Sequence, residues 1–77
     1  MNITQKDAMR SVISSLENLK GDVEPISEEL REEFDALTEK AQESEKGQAL
    51  ESQASDLEES LDEFDALIEK LRSATNQ

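Results

Sequence analysis

Cysteine and histidine do not occur in this chain, and neither do tryptophan and tyrosine. Without cysteine there is no disulfide and no thiolate nucleophile; without histidine the common zinc sites and imidazole acid/base chemistry are excluded too. The only aromatics, Phe34 and Phe64, are too few to form a platform for stacking nucleic-acid bases. No apolar run approaches the roughly 18 residues of a membrane span, and the start, MNITQKDAMR, lacks the basic-then-apolar layout of a secretory signal. A soluble, cytoplasmic protein with no membrane contact is the expectation.

Basic residues are also scarce. Asp and Glu number 20 against 8 Lys and Arg, a formal net charge of −12. Residues 1–26 are close to neutral, with four acids and three basic residues, whereas residues 27–77 hold sixteen acids and five basic residues, a net of −11. Such a surface repels nucleic acid and anionic lipid and attracts cationic surfaces. Direct nucleic-acid binding is therefore not expected.

What the chain does have is helical periodicity. In the first segment Ala8, Met9, Val12, Ile13, Leu16 and Leu19 recur at helical spacing, which predicts a helix over about 4–20, capped at Thr4 and stopped at Gly21. Residues 22–26, DVEPI, read as a connector because Pro25 lacks an amide hydrogen and restricts Glu24 before it. Ser27 then caps a second helix, 27–45, with Leu30, Phe34, Leu37 and Ala41 on one face. Residues 44–47, SEKG, read as a turn, and a third helix over 48–73 carries Leu50, Ala54, Leu57, Leu61, Phe64, Ile68 and Leu71 at heptad spacing. Residues 74–77 are left as a frayed tail.

Folding the chain between Glu45 and Lys46 lays Ala41 on Leu50, Leu37 on Ala54, Phe34 on Leu57 and Leu30 on Leu61, so an antiparallel helical hairpin is predicted over a single long helix that dimerises. Leu67 widens the apolar face of the third helix, and the first helix is the surface available to cover it. The expected fold is thus all-α: one domain over 1–77, a small three-helix bundle with helix 1 packed on the hairpin.

The chain also repeats itself. EEFDALTEK, Glu32 to Lys40, returns thirty residues later as DEFDALIEK, Asp62 to Lys70, with Thr38 against Ile68 the one internal difference after the first letter. A local duplication of a helical unit accounts for this. Its simplest role is core packing plus a solvated face; a recognition helix entering a partner's groove is the sharper alternative.

No catalytic pattern emerges. A Glu-x-x-His element is absent, as is the alternating-acid calcium loop, so no enzyme activity, cofactor or metal is expected. The acids carry the remaining message, because no basic residue falls between Glu51 and Glu69 and like charges at helical spacing cost an isolated helix a few tenths of a kcal/mol per pair. The predicted hairpin bears about one negative charge per 2 Å of axis, against one per about 1.7 Å of duplex DNA. In size, acidity and helicity, though in no motif, the chain resembles the small acidic DNA mimics that phages deploy against host defence and nucleic-acid enzymes. The expected function is an inhibitor or regulator that docks an acidic helical surface on the basic, nucleic-acid-binding surface of a partner protein. Its contact residues would be Glu32, Asp35 and Glu39 on one arm and Glu51, Glu58, Glu59, Asp62, Glu63 and Asp65 on the other. The alternative is an assembly module or adaptor that self-associates through its apolar heptad seam.

Overall fold

A computed structural model describes all residues, Met1–Gln77. Helix accounts for 69 of them and no strand is present: α1 spans Ile3–Asp35, α2 Glu39–Glu43 and α3 Glu45–Thr75. The two long helices run antiparallel as a hairpin, with α2 closing its tip. Its extents are 57 × 16 × 13 Å and its radius of gyration is 17.3 Å, against about 11.5 Å for a compact chain of this length.

The expected first and second helices are therefore one. There is no break at 22–26, and no separate helix 1 lies across the hairpin as a third member of a bundle. The reason is visible in the side chains facing α3: Met9, Ile13, Leu16, Lys20, Val23, Ser27, Leu30 and Phe34 are buried or half-buried at steps of four and three without interruption. Lys20 and Ser27 belong to this seam although they are polar, and they bridge the gap between the two apolar stripes that the sequence presents. Pro25 is tolerated because it lies on the outer side. It deprives the Gly21 carbonyl of a donor, and both residues are exposed, where water takes the donor's place. Ser27, expected as a cap, is buried mid-helix. The real N-cap is Asn2, two residues before the predicted Thr4, in a reciprocal box: the Gln5 amide donates to Asn2 Oδ1 at 2.7 Å and the Asn2 amide to Gln5 Oε1 at 3.0 Å.

In α3 the predicted seam from Leu50 to Leu71 is present and longer than expected, reaching Gly47 at one end and Thr75 at the other, both buried. The tail expected at 74–77 is thus helical as far as Thr75. Ala54 is fully buried, and Ile13 and Ile68 nearly so.

The turn differs from the four-residue SEKG loop. α1 stops at Asp35, and residues 36–44 form the tip, in which Thr38 caps α2 by accepting from the Ala41 amide at 3.2 Å. Gln42 reaches back so that its Nε2 donates to the Phe34 carbonyl at 3.2 Å, which also accepts from the Leu37 amide at 3.1 Å, and to the Leu37 carbonyl at 3.4 Å just past the end of α1. Ser44, extended between the two helices, is at once the C-cap of α2 and the N-cap of α3, with its hydroxyl accepting from the Gly47 amide at 3.2 Å. Gly47 is not in a loop at all. It sits in the first turn of α3, against the Ala41 and Gln42 carbonyls, where a Cβ would lie 2.6 Å from the Gln42 carbonyl carbon.

This longer tip also shifts the register. The side chains that bridge the helices, Arg31 to Glu58 and Ser55, Lys20 to Asp65 and Glu17 to Arg72, have numbers summing to between 85 and 89. The expected sum was 91, so the fold-back point moves one to three residues towards the N-terminus.

Candidate functional site

The acids expected to form a docking surface are all exposed. The hairpin sorts them by heptad position. Naming the seam residues Ile13, Lys20, Ser27 and Phe34 of α1 and Gly47, Ala54, Leu61 and Ile68 of α3, buried or half-buried, as position a, one flank of the seam is made by the e positions of both helices. On α3 these are Glu51, Glu58, Asp65 and Arg72; on α1, Arg10, Glu17, Glu24 and Arg31.

That flank is an ion-pair ladder. Arg31 binds Glu58 in bidentate fashion, through Nη2 at 2.7 Å and Nε at 3.1 Å, touches Ser55 Oγ at 3.5 Å and lies 5.7 Å from the Phe34 ring centroid. Lys20, in the seam, extends its Nζ outward to Asp65 at 2.6 Å and to Glu24 at 3.6 Å. Arg72 pairs with Glu17.

These contacts move the charges. The hydrogen bond from Arg31 holds the Glu58 carboxyl below its ordinary value of 4.5; desolvation pushes the other way and the Arg31 charge adds to the lowering. Arg31 itself is raised, first by the Glu58 hydrogen bond, against desolvation, and then by the charges of Glu58, Asp35 and Glu51. Lys20 is raised chiefly by its hydrogen bond to Asp65, against desolvation, with Glu24 contributing less. A polar residue at a seam position fixes register at some cost in stability, and Lys20 is placed to do so.

The nine predicted contact residues thus fall into groups. Glu58 and Asp65 are engaged in holding the hairpin together, so their charge is not free for a partner. Asp35 and Glu51 gather on the same flank, close enough that their charges act on Arg31. Asp62 neighbours them at a b position. Glu32 and Glu59 occupy the outermost edges, at f, and Glu63 is turned to the opposite flank, at c. Glu39 begins α2 at the tip. Glu32, Glu59, Asp62 and Glu63 make no ion pair.

Charge is segregated along the rod more sharply than along the chain. The open end, residues 1–20 and 68–77, holds five basic residues and three acids, a net of +2; the body and tip, residues 21–67, hold seventeen acids and three basic residues, a net of −14. The sequence alone places Lys70 and Arg72 in the acidic half, but the fold-back returns them beside the first helical turns. With 23 residues of α3 (45–67) spanning about 34 Å at 1.5 Å per residue, the body carries about one net negative charge per 2.5 Å.

The other flank corrects the sequence reading, which put Ala8, Val12 and Leu19 on the core-facing stripe of helix 1: all three are exposed, because the seam runs through Met9, Ile13, Leu16 and Lys20 instead. Its g positions include Val12, Leu19 and Ile26 on α1 and Leu67 on α3, with solvent exposures of 45%, 51%, 52% and 44%; among the other g positions, Gln5 and Glu33 on α1 and Lys46, Gln53 and Ser60 on α3 are polar. Leu67, which the first helix was expected to cover, stays open. The seven-residue spacing of Val12, Leu19 and Ile26 is the signal that would have found this stripe, because it runs beside the three-four seam and not within it.

No helix is long and apolar enough to cross a membrane. The geometry defines an antiparallel coiled-coil hairpin with one ionic and one apolar flank. No protein family, curated protein or solved structure matches the chain.

Proposed function

We propose that this protein is a non-catalytic binding protein whose acidic body and tip dock on the basic surface of a partner protein, in competition with nucleic acid. The observation that supports this reading is the segregation of charge: a net of −14 concentrated in residues 21–67 beside an open end of net +2. A charge density of about one per 2.5 Å approaches the one per about 1.7 Å of duplex DNA, and a rigid rod presents it without the entropy loss of ordering a flexible tail. A groove shaped for a phosphate backbone meets comparable negative charge here. The working acids are those free of internal partners, Glu32, Glu59, Asp62 and Glu63, with Glu51 and Asp35 beside them.

The test starts from affinity capture by the immobilised wild-type chain in extracts, with duplex DNA added as competitor. Captured proteins should be nucleic-acid binders, should be displaced by the DNA, and should elute as salt rises, because exposed charges are screened beyond about 8 Å at physiological ionic strength. The quadruple change Glu32→Gln, Glu59→Gln, Asp62→Asn and Glu63→Gln should abolish capture while circular dichroism shows the helix content unchanged. Capture that survives the quadruple change, or that ignores salt, would overturn the reading.

A further inference from the structure

The apolar flank is a second surface, bordered by only one of the proposed acidic contacts, Glu63 beside Leu67. We infer that Val12, Leu19, Ile26 and Leu67 form the interface of an antiparallel homodimer, in which two hairpins lie side by side as a four-helix block with their acidic tips projecting at opposite ends.

A folded monomer of 8.6 kDa exposes about 4,700 Å²; this hairpin exposes 5676 Å². The excess of about 1,000 Å² over a compact monomer comes with the rod shape and leaves a long flank open, where the roughly 800 Å² that each member of a stable complex buries can be found.

An isologous two-fold interface must be complementary to itself. Val12, Leu19 and Ile26 are spaced by seven and seven, flanked by Gln5 and Glu33 at the next positions of the same flank. Rotation by 180° about Leu19 lays Val12 of one copy on Ile26 of the other and Leu19 on Leu19, and the stripe meets itself in register. Leu67 of α3 adds to its exposed apolar surface.

Two rods of net −12 side by side in parallel would set acidic body on acidic body. The antiparallel arrangement instead lays the net +2 open end of each copy along the acidic stretch of the other that begins after Ile26. It leaves the two tips, the most acidic surfaces, farthest apart.

The stripe is therefore filled by a second copy of the chain and not by a membrane or an unrelated helix. The seam from Leu50 to Leu71 is already occupied by α1, so self-association proceeds through a different surface from the one the heptad pattern suggests.

Sedimentation equilibrium tests this without any partner. The wild-type chain should sediment at twice 8.6 kDa, and Leu19→Glu combined with Ile26→Lys should halve that mass while helix content is unchanged, since both side chains are outside the seam. Direction is read by single cysteines, for which the cysteine-free chain is a clean background. Leu19→Cys should oxidise to a disulfide dimer, whereas Ile3→Cys, sixteen residues from the two-fold axis and so about 48 Å from its copy, should not. A wild-type monomer, a doubly substituted chain that stays dimeric, or cross-linking at Ile3 instead of Leu19 would each overturn the inference. Because mass is measured on the isolated protein, failure here is distinct from failure of the acidic-surface reading.

Discussion

Gly21 and Gly47 are the only glycines in the chain, and they carry opposite expectations. At Gly21 an added Cβ meets nothing within 4 Å, so Gly21→Ala should gain the helix-propensity difference of about 1 kcal/mol and raise the melting temperature by about 4–8 °C. At Gly47 the same change drives a methyl into the backbone of α2. Backbone cannot rotate aside as a side chain does, and overpacking of about 1–3 kcal/mol outweighs the propensity gain, so Gly47→Ala should lower the melting temperature. Equal shifts in thermal melts would show that the tip does not press on α3. Ile68, 7% exposed, should cost about 2–5 kcal/mol when cut to alanine, enough to unfold much of so small a protein.

Identical words serve different elements in this chain. In the first copy of the repeat, Phe34 and Leu37 continue the seam but the helix stops at Asp35, because Thr38 accepts from the Ala41 amide and starts α2. In the second copy the helix runs on through Ile68, which takes the core position that makes Leu67 surplus. The one internal difference between the words, Thr38 against Ile68, coincides with this change of role. Replacing Thr38 by Ile removes the cap and should cost about 0.5–2 kcal/mol, measured by chemical denaturation; no loss would mean that Gln42 alone holds the tip. Pro25 is the other element-scale feature. Pro25→Ala restores the donor to the Gly21 carbonyl on an exposed helix face, and it should stabilise the hairpin by up to about 3 kcal/mol, the opposite of what a turn-forming proline would show.

At the scale of the whole molecule, one flank holds the hairpin by charge and the other is left apolar. The Glu58 carboxyl is depressed in the folded state, so the stability it contributes is present above its ordinary value of 4.5 and is lost as pH falls through the depressed one. Glu58→Gln should therefore melt below the wild type at pH 7, and the gap between the two should close on acidification below 4.5. A gap that stays constant with pH would assign the effect to packing instead of the ion pair with Arg31. Lys20 behaves inversely: its pair with Asp65 contributes below the ordinary lysine value and is lost as pH rises through the raised one. Across the ordinary range both pairs are intact, and the ladder sets which flank stays closed.

The sequence by itself determined that the protein is helical, folds back on itself and is strongly acidic, because three-four spacing and net charge are properties of residue order and composition. It also specified the α3 seam from Leu50 to Leu71, where apolar residues occupy every core position. It did not disclose that α1 is continuous. Lys20 and Ser27 are polar, and only their burial against α3 shows that they belong to the core, while the exposure of Pro25 is settled by which side of the helix faces its neighbour. Tertiary structure likewise decided which acids are free. Glu58 and Asp65 look the same as Glu59 and Asp62 along the chain, but their partners, Arg31 and Lys20, are 27 and 45 residues away in sequence. Pairings at that separation depend on where the turn lies, and the tip placed it one to three residues earlier than the folded pattern implied. The apolar flank has the same origin, since a stripe is left over only once the seam beside it has been filled.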